Sequence, residues 1–141
     1  MNASNLEAQR WFRQAKADMT VVQTLISAGH YAATCFHSQQ AAEKALKALL
    51  HSQRHRVVLE HSVRALVRRC EAYDTSFTSL MDEAGLLDQF YIPTRYPNGL
   101  PAPAIPDESY TEAQAQTAQA AAEHVISVVE TFLKANTQAL S

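Results

Sequence analysis

Between Glu71 and Glu130 the chain carries ten acids and a single base, and that base, Arg95, lies in the run Tyr91-Ile-Pro-Thr-Arg-Tyr-Pro97. A guanidinium held in a stiff loop between Tyr91 and Tyr96 has the chemistry to hold a nucleotide, ion-pairing with phosphate while the rings stack on a base. The alternative is a salt bridge from Arg95 to Glu43 or Asp88 that pins the loop to the body. A second set, Gln40, Glu43, Lys44 and Lys47, recurs at three- and four-residue steps and shares one helix face. There Lys44 and Lys47 could hold a phosphate, Glu43 could hold Arg95, and Glu43 with Lys47 has the favourable order for an i,i+4 ion pair. A third set is Arg56-Val-Val-Leu-Glu-His61, with four residues between guanidinium and imidazole, and six between Arg54 and His61. That pair could cleave RNA, the histidine moving a proton from a ribose hydroxyl and the arginine bracing the phosphorane charge. His61 also has a structural reading, packed beside Ser62 and donating to a carbonyl. His51 and His55, or His30 and His37, find no carboxylate or thiol to complete a ligand set, so neither a metal nor a cofactor is expected. His51 instead complements the negative end of its helix.

These residues are positioned by elements whose signals are mostly helical. Nearly half the 141 residues are hydrophobic and only three are glycine, a balance that favours an all-α fold. Ser4-Asn-Leu-Glu7 has the form of a capping box, opening a first helix that runs to about Ala28 with Trp11, Ala15, Met19, Val22 and Leu25/Ile26 as its apolar stripe. Gly29 stops it, and a second helix from about His30 to Ser52 follows so closely that the two form an antiparallel hairpin. Beyond a basic turn, Ser62 caps a short helix bearing Val63, Leu66, Val67 and Cys70 on one face. Asp74 or Thr75 opens a fourth, with Phe77, Leu80/Met81, Ala84, Leu87 and Tyr91 as its stripe. It must end before Pro93. Thr111-Glu-Ala-Gln114 is a second capping box, starting a last helix with Ala118, Ala121/Ala122, Val125, Val128/Val129 and Phe132 inward. All five prolines fall between Pro93 and Pro106, so that stretch is an ordered loop, and Tyr91, Ile92, Tyr96, Leu100 and Ile105 are expected to pack down on the body. The reading is one domain over 1–141, core about 5–135 and structured loop 92–110. Its architecture is an up-and-down bundle of about five helices.

Lys44 to Arg69 holds seven bases against one acid, a balance of +6, while Glu71 to Glu130 stands at −9. The basic segment could attract phosphates, or the two could neutralise each other within the fold or across an assembly. No stretch is long and apolar enough for a bilayer. Neither an export signal nor a CxxC spacing is visible, so a cytoplasmic protein with Cys35 and Cys70 as free thiols is expected.

The run Gln-Gln-Ala-Ala-Glu-Lys-Ala-Leu-Lys-Ala48, the later His61-Ser opening a short basic helix, and Tyr91-Ile-Pro-Thr-Arg-Tyr-Pro97 together resemble the HEPN domain family, in the branch of small stand-alone prokaryotic proteins. The resemblance spans roughly Leu6 to Phe132. It implies a helical bundle, commonly a homodimer, often paired with a minimal nucleotidyltransferase (MNT) in a toxin-antitoxin-like system. Some members resemble metal-independent endoribonucleases, with an Arg-to-His motif at a late helix; others bind nucleotide without cutting RNA. Here Arg56 and His61 lie between the second and third helices, and the last helix has no such pair. The expected function is therefore a nucleotide- or RNA-associated module using Lys44, Lys47, Tyr91, Arg95 and Tyr96 without its own catalysis. The alternatives are a ribonuclease built on Arg56 and His61, or a scaffold assembled by charge.

Overall fold

The computed structural model describes residues 2–137, 139 and 140. Five α-helices are present among them: α1 Ala3–Ser27, α2 Tyr31–Ser52, α3 Val63–Glu71, α4 Met81–Asp88 and α5 Glu112–Asn136. They form an all-α up-and-down bundle, as the periodicity predicts. Helix α2 is the central element, packed most extensively on α1 and α5 and also on α3. Its sequence explains that place: Ala41, Ala42, Ala45 and Ala48 let neighbours approach closely, while Leu46, Leu49 and Leu50 fill the space between. In α1 the buried stripe is Ala8, Phe12, Ala15 and Val22, with Trp11 and Met19 at its margin. In α5 it is Ala115, Ala118, Ala122, Val125, Val129 and Phe132.

The ends of the helices follow local chemistry. Gly29 takes φ +82°, the left-handed stop that lets α2 turn back along α1. Ser62 caps α3 through Ala65 N, and Thr111 with Gln114 forms the reciprocal box that opens α5. The start of α1 differs from expectation. The cap is Asn2, whose Oδ1 accepts from Asn5 N at 2.8 Å, while Glu7 pairs with Arg10. An asparagine placed before Ser4 reaches the free amides first, so Ser4 lies inside the helix. The fourth helical segment opens as a 3-10 turn, Thr75–Leu80, capped by Asp74, before widening to α4.

The proline loop is anchored differently from the expected downward packing. Thr94, buried, donates its hydroxyl to the Phe90 carbonyl, and Phe90 packs edge-on against Tyr110, ring centroids 5.9 Å apart. Gly99 crosses so close to Pro93 that a Cβ would sit 3.0 Å from its Cα. With those anchors the loop holds its shape while Ile92, Tyr96 and Ile105 stay 43%, 49% and 42% exposed.

Candidate functional site

Three elements converge on the outer side of α2. The turn after α4 is closed by Arg95 N and Tyr96 N, which both donate to the Ile92 carbonyl at 3.0 and 3.2 Å. That turn folds Arg95 back so that Nε donates to the Tyr91 carbonyl at 3.0 Å. Its guanidinium carbon then lies 4.4 Å from the ring centroid of Phe36 on α2, 4.8 Å from Tyr91 and 5.0 Å from Tyr96. Among the described residues Arg95 forms no ion pair. Aromatic faces therefore position this cation, and its remaining N–H groups are free for an incoming acceptor.

Tyr91 joins this frame to the α2–α3 turn. His61 stacks on it with centroids 5.2 Å apart and planes 15° off parallel, and His61 Nδ1 lies 3.4 Å from Glu43 Oε2. Glu43 is 4% exposed and is the hub behind the frame. It takes Lys47 Nζ at 3.0 Å, and its other oxygen accepts from Gln39 Nε2 at 3.3 Å. Gln39 in turn donates to the His61 carbonyl at 3.1 Å, fixing the turn that carries the imidazole. Both carboxylate oxygens are thus paired or hydrogen-bonded, as a carboxylate out of water must be.

Several residues singled out from the sequence occupy other roles. Glu43 does not hold Arg95, because Lys47, His61 and Gln39 already take its oxygens. Lys47 is not available to a phosphate: it is 4% exposed, ion-paired, and 5.6 Å above the Trp11 ring. Lys44 turns to α1, where Asp18 accepts from it at 2.6 Å. Asp88 does not meet Arg95 either. It accepts from Ser62 Oγ and the amides of Val63 and Arg64 at 2.9, 2.6 and 3.2 Å, capping α3 from outside. Arg56 and His61 are not brought together, since Arg56 lines a cleft at the start of α1 while His61 faces Glu43 and Tyr91. His51 is buried against Trp11, rings 5.4 Å apart, and burial pushes its pKa below the ordinary 6.5. Burial beside Trp11 thus disfavours the charged form of His51, which stands in the last turn of α2. Burial likewise lowers His37. Among the described residues no three His, Cys, Asp or Glu side chains gather as a metal site.

Sequence reasoning misses the part played by Phe36, Gln39 and His61 in this frame. Their spacing on α2 and in the turn is visible, but the meeting of His61 with a residue 18 positions earlier and with Tyr91 exists only in the packed bundle.

Fold and site together define a small helical bundle with an aromatic-framed cation at the junction of its central helix and a proline-rich loop. The HEPN domain family profile matches residues 8–132, and this chain belongs to that family. Its fold is similar to a crystal structure of TT1696 from Thermus thermophilus, with TM-score 0.81 and 37% identity, covering 89% of this chain and 97% of that one. It is also similar to ST0689, an archaeal HEPN homologue, with TM-score 0.72, 31% identity, and coverage of 93% and 98%. Among curated proteins, "Putative toxin MJ1304" of Methanocaldococcus jannaschii is 27% identical over 135 residues, 90% of this chain and 88% of that protein. Human sacsin is 26% identical over 132 residues, which are 92% of this chain but only 3% of sacsin.

Proposed function

We propose that this chain is the HEPN half of a toxin-antitoxin-like pair, a homodimer that binds nucleotide or RNA at Arg95 and works with an MNT-type nucleotidyltransferase. The observation that carries the binding site is the Arg95 guanidinium among Phe36, Tyr91 and Tyr96 with no carboxylate partner among the described residues. A cation kept for structure alone would be expected to neutralise a nearby acid; this one presents charge beside the half-exposed Tyr96 ring. His61, stacked on Tyr91, adds a second group able to donate to phosphate. The pairing with an antitoxin rests on family membership and on the name of the Methanocaldococcus relative. The test is thermal: micromolar nucleotide or short RNA raises the melting temperature of the wild type and leaves Arg95→Ala unmoved. The absence of a shift with every nucleotide and RNA tried contradicts the reading.

One observation favours a second reading, metal-independent RNA cleavage. Glu43 Oε2 stands 3.4 Å from His61 Nδ1, the arrangement in which a carboxylate orients an imidazole to take a proton at its other nitrogen. In that case the arginine that braces the phosphorane is Arg95, not Arg56. RNA cleavage by the purified protein that persists unchanged in His61→Ala eliminates this mechanism.

A further inference from the structure

Two clefts lie elsewhere, along the first half of α1. One, of about 600 Å³, is lined by Arg10, Trp11, Arg13 and Lys44 among others. The next, of about 560 Å³, is lined by residues at the start of α1 and by His51, Arg54, His55 and Arg56 of the α2–α3 turn. Glu7 lines both, so the two adjoin. Five permanent cations thus face one trough that holds a single lining acid.

Not all of that charge is spent within the fold. Arg10 pairs with Glu7 at 3.0 Å and Lys44 with Asp18 at 2.6 Å. Arg13, Arg54 and Arg56 form no ion pair among the described residues. Arg54 takes φ +70°, an unfavourable backbone for a residue with a Cβ. The N-terminal end of α1, with Ala3 and Ser4 in the lining, adds the partial positive charge of a 25-residue helix. Trp11, half-buried, supplies an aromatic surface in the same trough.

We propose that this trough is a second binding surface, a groove for the phosphate backbone of a single-stranded nucleic acid, separate from the Arg95 frame. Length selects the ligand class. The lining residues of α1 run from its first turn to Ala17, about 21 Å of helix, which suits several successive phosphodiesters and leaves a lone phosphate or mononucleotide most of the cations unused. Recognition is by charge and stacking, without a base code.

The experiment measures binding of a fluorescent single-stranded RNA across a salt series, with inorganic triphosphate and poly-glutamate as competitors. Each released counterion makes affinity fall with salt, by about 0.7 in logarithmic slope per phosphate neutralised on a single strand. The R13Q/R56Q variant is expected to bind roughly tenfold or more weakly at low salt and to lose about one to two in slope. The R64Q/R68Q variant, which removes two exposed arginines of α3 outside the trough, is expected to bind as the wild type does. Equal losses in both variants overturn the groove in favour of diffuse charge. Loss in Arg95→Ala with none in R13Q/R56Q overturns it while leaving the Arg95 site standing. Poly-glutamate competing as well as RNA assigns the trough to an acidic protein segment, and triphosphate competing as well assigns it to a free anion; either result overturns the proposal.

Discussion

At the scale of single residues the fold turns on Glu43. Among the described residues its carboxylate is the only acid that neutralises the buried Lys47, and it also orients His61. Glu43→Ala leaves the ammonium buried and unpaired, so it is expected to cost about 3–5 kcal/mol, whereas exchanging both partners for apolar residues of similar volume costs far less. Urea unfolding of the single and double variants checks this, and a single variant as stable as the wild type contradicts the ion-pair account. Histidine titration gives a second outcome. Burial lowers His51 and His37 below 6.5, so below that pH the unfolded chain takes up protons that the folded chain resists. Stability is therefore flat for these groups above 6.5 and falls as the medium is acidified below it, by at most about 1.4 kcal/mol per pH unit for each histidine. In His51→Gln the fall between about pH 6.5 and 5 is expected to be shallower, as read from denaturant midpoints.

At the scale of elements, the Asp88 side chain at the end of α4 closes the start of α3 by accepting from one hydroxyl and two amides. Asp88→Ala is expected to lose about 2 kcal/mol, since hydrogen bonds to a charged acceptor are the strong ones. Amide exchange should rise at Val63 and Arg64 before it rises in α2, and uniform exchange contradicts a local capping role. This link also shows how far sequence reading extends. Ser62, Gly29 and Thr111 are legible as stops and caps because their partners lie within a few residues. Asn2 is hidden by the more familiar Ser4-x-x-Glu7 pattern, which offers the same kind of acceptor two residues later. Asp88 is not legible as a cap, because its partners are 24 to 26 residues earlier, brought to it only by α3 packing on α4. The order of the loop can be read from its prolines, but its direction cannot: prolines fix local φ, while Thr94 and Phe90 decide which side chains face out.

For the whole molecule, the division of charge along the chain is only partly displayed at the surface. The excess of bases from Lys44 to Arg69 is real, yet Lys44, Lys47 and Arg69 neutralise Asp18, Glu43 and Glu60 within the fold. Among the described residues, arginines without an ion pair include Arg13, Arg54 and Arg56 of the trough along α1, Arg64 and Arg68 on α3, and Arg95 beside Tyr91. Family membership is legible in the Gln39–Ala48 run and the Tyr91–Pro97 loop, because those segments build the α2 surface and its aromatic frame. The positions of the free cations are not, since which of them find acids depends on helices meeting across the bundle.

Photo-crosslinking decides whether the Arg95 frame is where nucleotide or RNA is held. RNA carrying photoreactive bases is bound to the wild-type protein, irradiated, and the modified peptides are mapped by mass spectrometry. Modification is expected at Tyr91 or Tyr96 and is expected to disappear in Arg95→Ala while the variant keeps its helical circular dichroism. Modification confined to other peptides, or undiminished at Tyr91 and Tyr96 in Arg95→Ala, contradicts the Arg95 site.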